Sequence, residues 1–176
     1  MDRYYYLIAS LPALSKTEKP IIGSAALLEQ ARQWLTKYDQ RVLDGASIHD
    51  PFVGSEHCPV LEQWAVFETN LRNVMVTVRS RLRSVEPKHY YHPVDEVVSG
   101  LETQVVECLG LPTPLEIERA LLDLRWRFLE SLEPGHHFDI DCLVIYYLKI
   151  QLLERLFSFE PAVGRQVLAT IGTAAQ

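Results

Sequence analysis

The stretch from about Ile140 to Ser158 constrains the fold more than any other part of the chain. One helical stripe reads Leu143, Tyr146, Ile150, Leu153 and Phe157, and a second reads Ile145, Leu148, Leu152, Leu156 and Phe159. The remaining polar edge is narrow and consists of Tyr147, Gln151, Glu154 and Arg155. A helix that is apolar on most sides has to be covered, either by its own domain or by a partner protein. Both arrangements remain open from the sequence.

A second long helix is predicted from about Val60 to Ser84. Apolar residues recur there at offsets of three and four, at Trp64, Phe67, Leu71, Val74, Met75, Val78 and Leu82. The opposite stripe is charged and consists of Glu68, Arg72, Arg79 and Arg83. Glu68 stands four residues before Arg72, which is the favourable order for an ion pair along a helix.

Start and stop signals place the other helices. Ser24 is a candidate N-cap for a helix whose inner face would hold Leu27, Ala31, Trp34, Leu35 and Tyr38. Pro93 suits the first turn of a further helix, which would bury Val94, Val97, Val98, Leu101 and Val105 and end at Gly110.

Thr113-Pro114-Leu115-Glu116 is a capping box, and Asp139 is a candidate cap for the last long helix. The helix after the capping box would face inward with Ile117, Leu121, Leu124, Phe128 and Leu132. Pro161 is expected to begin a short terminal helix, with a frayed tail from Thr173 to Gln176. The aromatic run at residues 4–11 is too short to decide between strand and helix.

These patterns predict an all-α protein, a compact bundle of about five to six helices. Its 176 residues can bury a core without metal or disulfide support. We expect a single domain over residues 1–176, made of an N-terminal segment (1–23), a first helical part (24–84) and a second helical part (93–172).

Charge and cysteine usage narrow the functional classes. The formal net charge is −6 and the calculated pI is about 5.5, which argues against general nucleic-acid binding because that needs a cationic surface. Cys58, Cys108 and Cys142 form no recognisable disulfide framework, which favours reduced, buried thiols in the cytoplasm. Neither a signal peptide nor a transmembrane stretch is apparent, so direct membrane insertion is not expected.

Motifs of common catalytic sites are missing from the sequence. There is no GxGxxG, GxxxxGK[ST], HExxH or GxSxG pattern, and the eight glycines are scattered singly. We therefore expect a protein that is not an enzyme and that needs no cofactor.

Two histidine-containing loops offer metal-ligand side chains. His49-Asp50 with His57-Cys58 match no common zinc spacing. The denser group is His136, His137, Asp139 and Asp141, although Asp139 is already expected to cap a helix. Surface loops account for both groups, so no metal site is predicted. The alternative function from this region is a small helical metal-binding or ligand-binding protein, or an enzyme.

Both ends of the chain resemble known ATPase-associated sequences. The segment Tyr146-Tyr147-Leu148-Lys149-Ile150-Gln151-Leu152-Leu153-Glu154-Arg155 resembles the closing helix of the C-type connector component of V-type and A-type ATPases, which eukaryotes call d. The opening Tyr4-Tyr5-Tyr6-Leu7-Ile8-Ala9-Ser10-Leu11-Pro12 looks like the start of a small bacterial family encoded among V-type ATP synthase subunits. Members of that family also end in a helix that contains Phe-Asp, Tyr and Leu-Lys. The matching residues in this chain are Phe138-Asp139, Tyr146 and Leu148-Lys149.

The resemblance implies a non-catalytic subunit, or an accessory or assembly factor, of a bacterial V-type ATP synthase. It would act by protein–protein contact at the central stalk, with soluble-head, shaft or rotor-ring subunits as partners. It would be cytoplasmic and would reach the inner membrane only as a peripheral part of the complex. The interface residues we predict are Leu148, Lys149, Gln151, Glu154 and Arg155, followed by Arg79, Arg81 and Arg83. The alternative for the arginines is simple stabilisation of a helix C-terminus.

Overall fold

The computed structural model describes residues 4–50, 58–83, 91–93 and 96–159. Within these ranges the chain forms seven helices and no strand, which confirms the all-α prediction. The helices are α1 (Tyr5–Ala9), α2 (Ser24–Ala31), α3 (Lys37–Gly45), α4 (Pro59–Arg83), α5 (Leu101–Leu109), α6 (Pro114–Leu132) and α7 (Ile140–Phe157). The predicted terminal helix at Pro161 and the tail lie outside the described residues.

Helix α7 lies at the centre of the bundle. Helices α2, α3, α4 and α6 all pack against it, and α5 packs on α4 and α6. Buried residues run along α7 from Leu143 to Leu153 on nearly every side. The other buried side chains join them in one continuous core. The apolar circumference of α7 is therefore covered by the chain itself.

Tyr147 departs from the predicted polar edge of α7. Only 8% of its surface is exposed, although its hydroxyl made it a candidate for the solvent side. Burial raises the pKa of this phenol, with a smaller contribution from the negative charges of Glu154 and Asp44. The remaining polar edge residues are Gln151, Glu154 and Arg155.

Local capping signals correctly predicted where two helices begin. The Thr113 hydroxyl accepts a hydrogen bond from the Glu116 amide at 3.2 Å, and the Glu116 carboxylate accepts one from the Thr113 amide at 3.1 Å. Asp139 caps α7, because its Oδ1 accepts a hydrogen bond from the Cys142 amide at 2.8 Å.

The helix predicted from Ser24 to beyond Tyr38 is divided into two. Helix α2 ends at Ala31, and Gly23 rather than Ser24 occupies its N-cap position. The break comes from Thr36, whose hydroxyl accepts a hydrogen bond from the Asp39 amide at 3.1 Å and so starts a new helix. As a result Trp34 and Tyr38 are exposed, which corrects their predicted inward placement.

Helix α5 begins eight residues after Pro93, at Leu101. Gly100 precedes it with φ of +76°, a left-handed conformation that interrupts any helix arriving from the proline. Leu101 and Val105 are buried as predicted, whereas Val97 is exposed. Val94 lies outside the described residues.

Glu68 is buried, although it lies on the charged stripe of α4. None of its surface is exposed, and its carboxylate accepts a hydrogen bond from Arg125 of α6 at 2.5 Å. The predicted pair with Arg72 is present, with 3.5 Å between Arg72 Nε and Glu68 Oε2. Glu68 can enter the interior because two guanidinium groups neutralise its charge.

Replacing Leu148 with alanine should destabilise the protein by about 2–5 kcal/mol, because the substitution leaves a cavity beside a fully buried position of α7. Leu115→Ala is the matched control at a solvent-exposed position of α6, and its cost should stay below about 1 kcal/mol. Urea unfolding measures both values. Equal costs for the two variants would contradict the central position of α7.

Removing the Glu68 carboxylate should also be costly. Glu68→Ala leaves the Arg125 guanidinium inside the fold without its partner, so we expect a loss of about 3–5 kcal/mol. The control is Glu102→Ala, which removes an exposed pair with Arg81 and should cost about 0–1 kcal/mol. A Glu68 variant as stable as the Glu102 variant in chemical denaturation would refute the buried ion pair.

Candidate interaction surface and donor cluster

Two of the predicted interface residues lie inside the molecule. The side chain of Leu148 is fully buried, and only 6% of Lys149 is exposed. Lys149 Nζ donates a hydrogen bond to Glu133 Oε1 at 2.5 Å and lies 4.7 Å from the centroid of the Trp126 ring. Lys149 thus holds α7 against α6 and the loop that follows it, and Leu148 is part of the core.

Gln151 and Glu154 bind other elements of the same chain. Gln151 donates to the Ala46 carbonyl at 3.0 Å and accepts from the Ile48 amide at 3.1 Å, which fixes the segment after α3. The Glu154 carboxylate accepts from the amide and the hydroxyl of Ser24 at 2.8 and 2.7 Å. Glu154 therefore satisfies donors at the N-terminus of α2, which lacks a capping side chain of its own.

The predicted arginines are partly engaged as well. Arg155 lies on the surface and pairs with Glu118 of α6 at 3.2 Å. Arg79 and Arg81 are exposed, and Arg81 lies 3.4 Å from Glu102 of α5. The side chain of Arg83 lies outside the described part of the chain.

Three aromatic side chains lie on the surface near the N-terminus. Tyr5, Tyr6 and Trp34 are 50%, 74% and 51% exposed, and we call them the aromatic surface. The rings of Tyr6 and Trp34 are stacked with 6.5 Å between their centroids. Tyr5 lies 4.7 Å from the ring of Phe138, which precedes α7. Large aromatic groups of this kind are common at protein interfaces and uncommon on free surfaces.

Tyr4 anchors the aromatic surface to the core. Its amide donates to the Phe138 carbonyl at 3.3 Å, and its buried hydroxyl donates to the Asp39 carboxylate. Burial raises the pKa of the Tyr4 phenol, and the hydrogen bond to Asp39 raises it further. The short helix α1 is therefore fixed at its first turn to both α3 and the loop before α7.

A second link joins the segment after α1 to α7. The Tyr146 hydroxyl, on α7, donates to the Pro12 carbonyl at 2.7 Å. Burial raises the pKa of Tyr146 to about 12, so this phenol remains a hydrogen-bond donor throughout the physiological range.

Sequence reasoning missed the aromatic surface. It left residues 4–11 undecided and placed Trp34 on an inner helical face. One signal was present: Tyr4, Tyr5 and Tyr6 are consecutive, and adjacent residues of a helix do not share a face. A helical segment that packs on the core by one face only would expose some of these rings.

The donor cluster at the start of α7 contains three of the four residues considered for a metal. His136 Nδ1 lies 2.9 Å from Asp139 Oδ2 and 3.8 Å from Asp141 Oδ2. One donor atom of each residue lies within 4.8 Å of the others. His137 is exposed and does not belong to this group. We call His136, Asp139 and Asp141 the donor cluster.

The second histidine-containing loop is only partly described. His49 and Asp50 are exposed, and His57 lies outside the described residues. Cys58 is buried, and its thiol donates to Asp141 Oδ1 at 3.2 Å. Cys58 therefore belongs with the donor cluster rather than with His49.

Searches against protein-family models, curated proteins and solved structures find no match to this chain. None of the described helices is long and apolar enough to cross a membrane.

The thiol of Cys58 should be chemically inert in the folded protein. Burial raises its pKa from 9.0 to about 12, which lowers its thiolate fraction at pH 8 about a thousand-fold. Under brief iodoacetamide treatment we expect Cys58 to be alkylated far more slowly than the half-buried Cys142, and both to react fully in denaturant. Peptide mass spectrometry reads out each site. Rapid native labelling of Cys58 would contradict its burial.

Proposed function

We propose that this chain is a non-catalytic helical subunit, or an accessory or assembly factor, of a bacterial V-type ATP synthase. It acts by protein–protein contact at the central stalk, and its partners are subunits of the soluble head, the shaft or the rotor ring. In this role the protein is cytoplasmic and reaches the inner membrane only through the complex.

The contact between the two segments that carry the resemblance is the observation that supports this proposal. The resemblance to the ATPase-associated family rests on residues 4–12 and on the segment from Phe138 into α7. These segments are more than a hundred residues apart in sequence, yet Tyr4 and Tyr5 contact Phe138, and Tyr146 binds Pro12. A shared structural unit explains why both segments would carry the same family pattern.

The structure favours a contact site that differs from the one expected from the sequence. Leu148 and Lys149 are buried, and Gln151 and Glu154 bind backbone groups of α2 and of the segment after α3. The aromatic surface, in contrast, presents tyrosine and tryptophan rings to solvent. These residue types dominate the binding energy of many interfaces, because they bury much area and lose little conformational entropy. We therefore place the main contact there, with Arg79 and Arg81 as a second candidate.

The connector component that the closing helix resembles indicates the kind of role proposed. The C-type connector is an all-helical funnel between the central shaft and the rotor ring. The proposed role is that of such a non-catalytic subunit or of a factor that assists assembly. Both versions require specific contact with ATPase subunits.

A tagged chain expressed in its native cells tests this role. After mild crosslinking and affinity purification, mass spectrometry should identify V-type ATP synthase head or shaft subunits. The variant Tyr6→Ser/Trp34→Ser should reduce their recovery by about ten-fold or more, because hot-spot aromatics contribute at least about 2 kcal/mol to binding.

Val97→Ser is the matched control, since Val97 is an exposed apolar residue outside the aromatic surface. It should leave recovery unchanged, and all variants should melt within a few degrees of the wild type. Recovery of ATPase subunits that is equal for wild type and double variant would refute the docking surface. Failure of the wild type to recover any ATPase subunit would refute the proposed function itself.

A further inference from the structure

The geometry points to a binding site for a first-row divalent metal ion at the donor cluster, formed by His136 Nδ1, Asp139 Oδ2 and Asp141 Oδ2. The site is independent of the proposed stalk role. It offers one imidazole nitrogen and two carboxylate oxygens on one side and leaves further coordination positions open.

The orientation of the two carboxylates supports a site. Asp139 Oδ1 is occupied by the Cys142 amide at 2.8 Å, and Asp141 Oδ1 is occupied by the Cys58 thiol at 3.2 Å. The second oxygen of each carboxylate, Oδ2, is turned toward the same nitrogen of His136. In many metal sites, hydrogen bonds to the carboxylate oxygen that does not bind the metal fix the orientation of the ligand side chain.

The distances suit a small metal ion. Ligand atoms about 2.0–2.2 Å from one ion are separated from each other by about 3–3.5 Å. The two distances from His136 Nδ1, 2.9 Å and 3.8 Å, bracket that separation. One ligand atom of each of the three residues lies within 4.8 Å of the others, so the group is compact enough to surround one ion.

The backbone also holds His136 in place. Gly135 adopts φ of +95°, and the His136 amide donates to the Glu133 carbonyl at 3.0 Å. This turn directs the chain from α6 toward α7 within a few residues. Asp139 then caps α7 and Asp141 lies in its first turn, so all three ligands lie on a short, structured segment.

The donor types define the class of ion. A nitrogen with two carboxylate oxygens suits Zn²⁺, Mn²⁺ or Fe²⁺, whereas Mg²⁺ and Ca²⁺ prefer oxygen ligands alone. His136 also lines a cavity of about 580 Å³, together with Glu130, Glu133 and His137. Zn²⁺ is the appropriate first probe because it binds mixed nitrogen and oxygen ligands tightly.

Isothermal titration of tag-free, metal-stripped protein with Zn²⁺ tests the site, with Mg²⁺ titrated in parallel. We expect one Zn²⁺ per chain, bound much more tightly than Mg²⁺. His136→Ala should weaken Zn²⁺ binding by more than about ten-fold, and Asp141→Asn should do the same. The Asp141 variant keeps the side-chain volume and so gives a reading if the His136 variant folds poorly.

His137→Ala is the matched control, because it removes an adjacent exposed imidazole that is outside the cluster. It should leave the affinity for Zn²⁺ unchanged. Two results would overturn the site. The first is that the wild type does not bind Zn²⁺, so that His136 and the carboxylates only contact each other. The second is an equal loss of affinity in the His136 and His137 variants. Neither result would bear on the recovery of ATPase subunits.

Discussion

Covering α7 is the requirement on which the rest of the structure depends. This helix is apolar on nearly all sides, and α2, α3, α4 and α6 bury it together. Its few polar side chains then serve the helices around it, as Gln151 does for the segment after α3 and Glu154 does for α2. For most of its length, α7 is therefore covered by helices of the same chain and not by a partner protein.

The loop between α6 and α7 connects the two proposed sites. Phe138 contacts α1 through Tyr4 and Tyr5, and its neighbours His136 and Asp139 belong to the donor cluster. Lys149 ties Glu133 at the start of the loop to the buried face of α7. A segment of a few residues thus supports the aromatic surface on one side and carries metal-ligand groups beside it.

Features determined by neighbouring residues were predictable from the sequence. The capping box at Thr113 and the cap at Asp139 act within three residues, and the apolar period of α4 is repeated over many turns. Features that depend on distant residues were not predictable. For Glu68 only the pair with the nearby Arg72 was predicted, because its other partner, Arg125, is 57 residues away. Glu154 was assigned to a partner interface, because the residue that it binds, Ser24, is 130 residues away. The sequence shows that His136, Asp139 and Asp141 are close together along the chain. That both carboxylates approach the same nitrogen of His136 is known only from the structure.

Hydrogen exchange of the isolated protein, followed by mass spectrometry, tests the central position of α7 most directly. If the chain itself covers this helix, the amides of residues 144–153 should exchange only through global unfolding. Their opening free energy should then equal the unfolding free energy from urea denaturation. Exchange of these amides at rates close to those of exposed loops would show that α7 needs a partner to be covered, and would contradict its position as the central helix of the bundle.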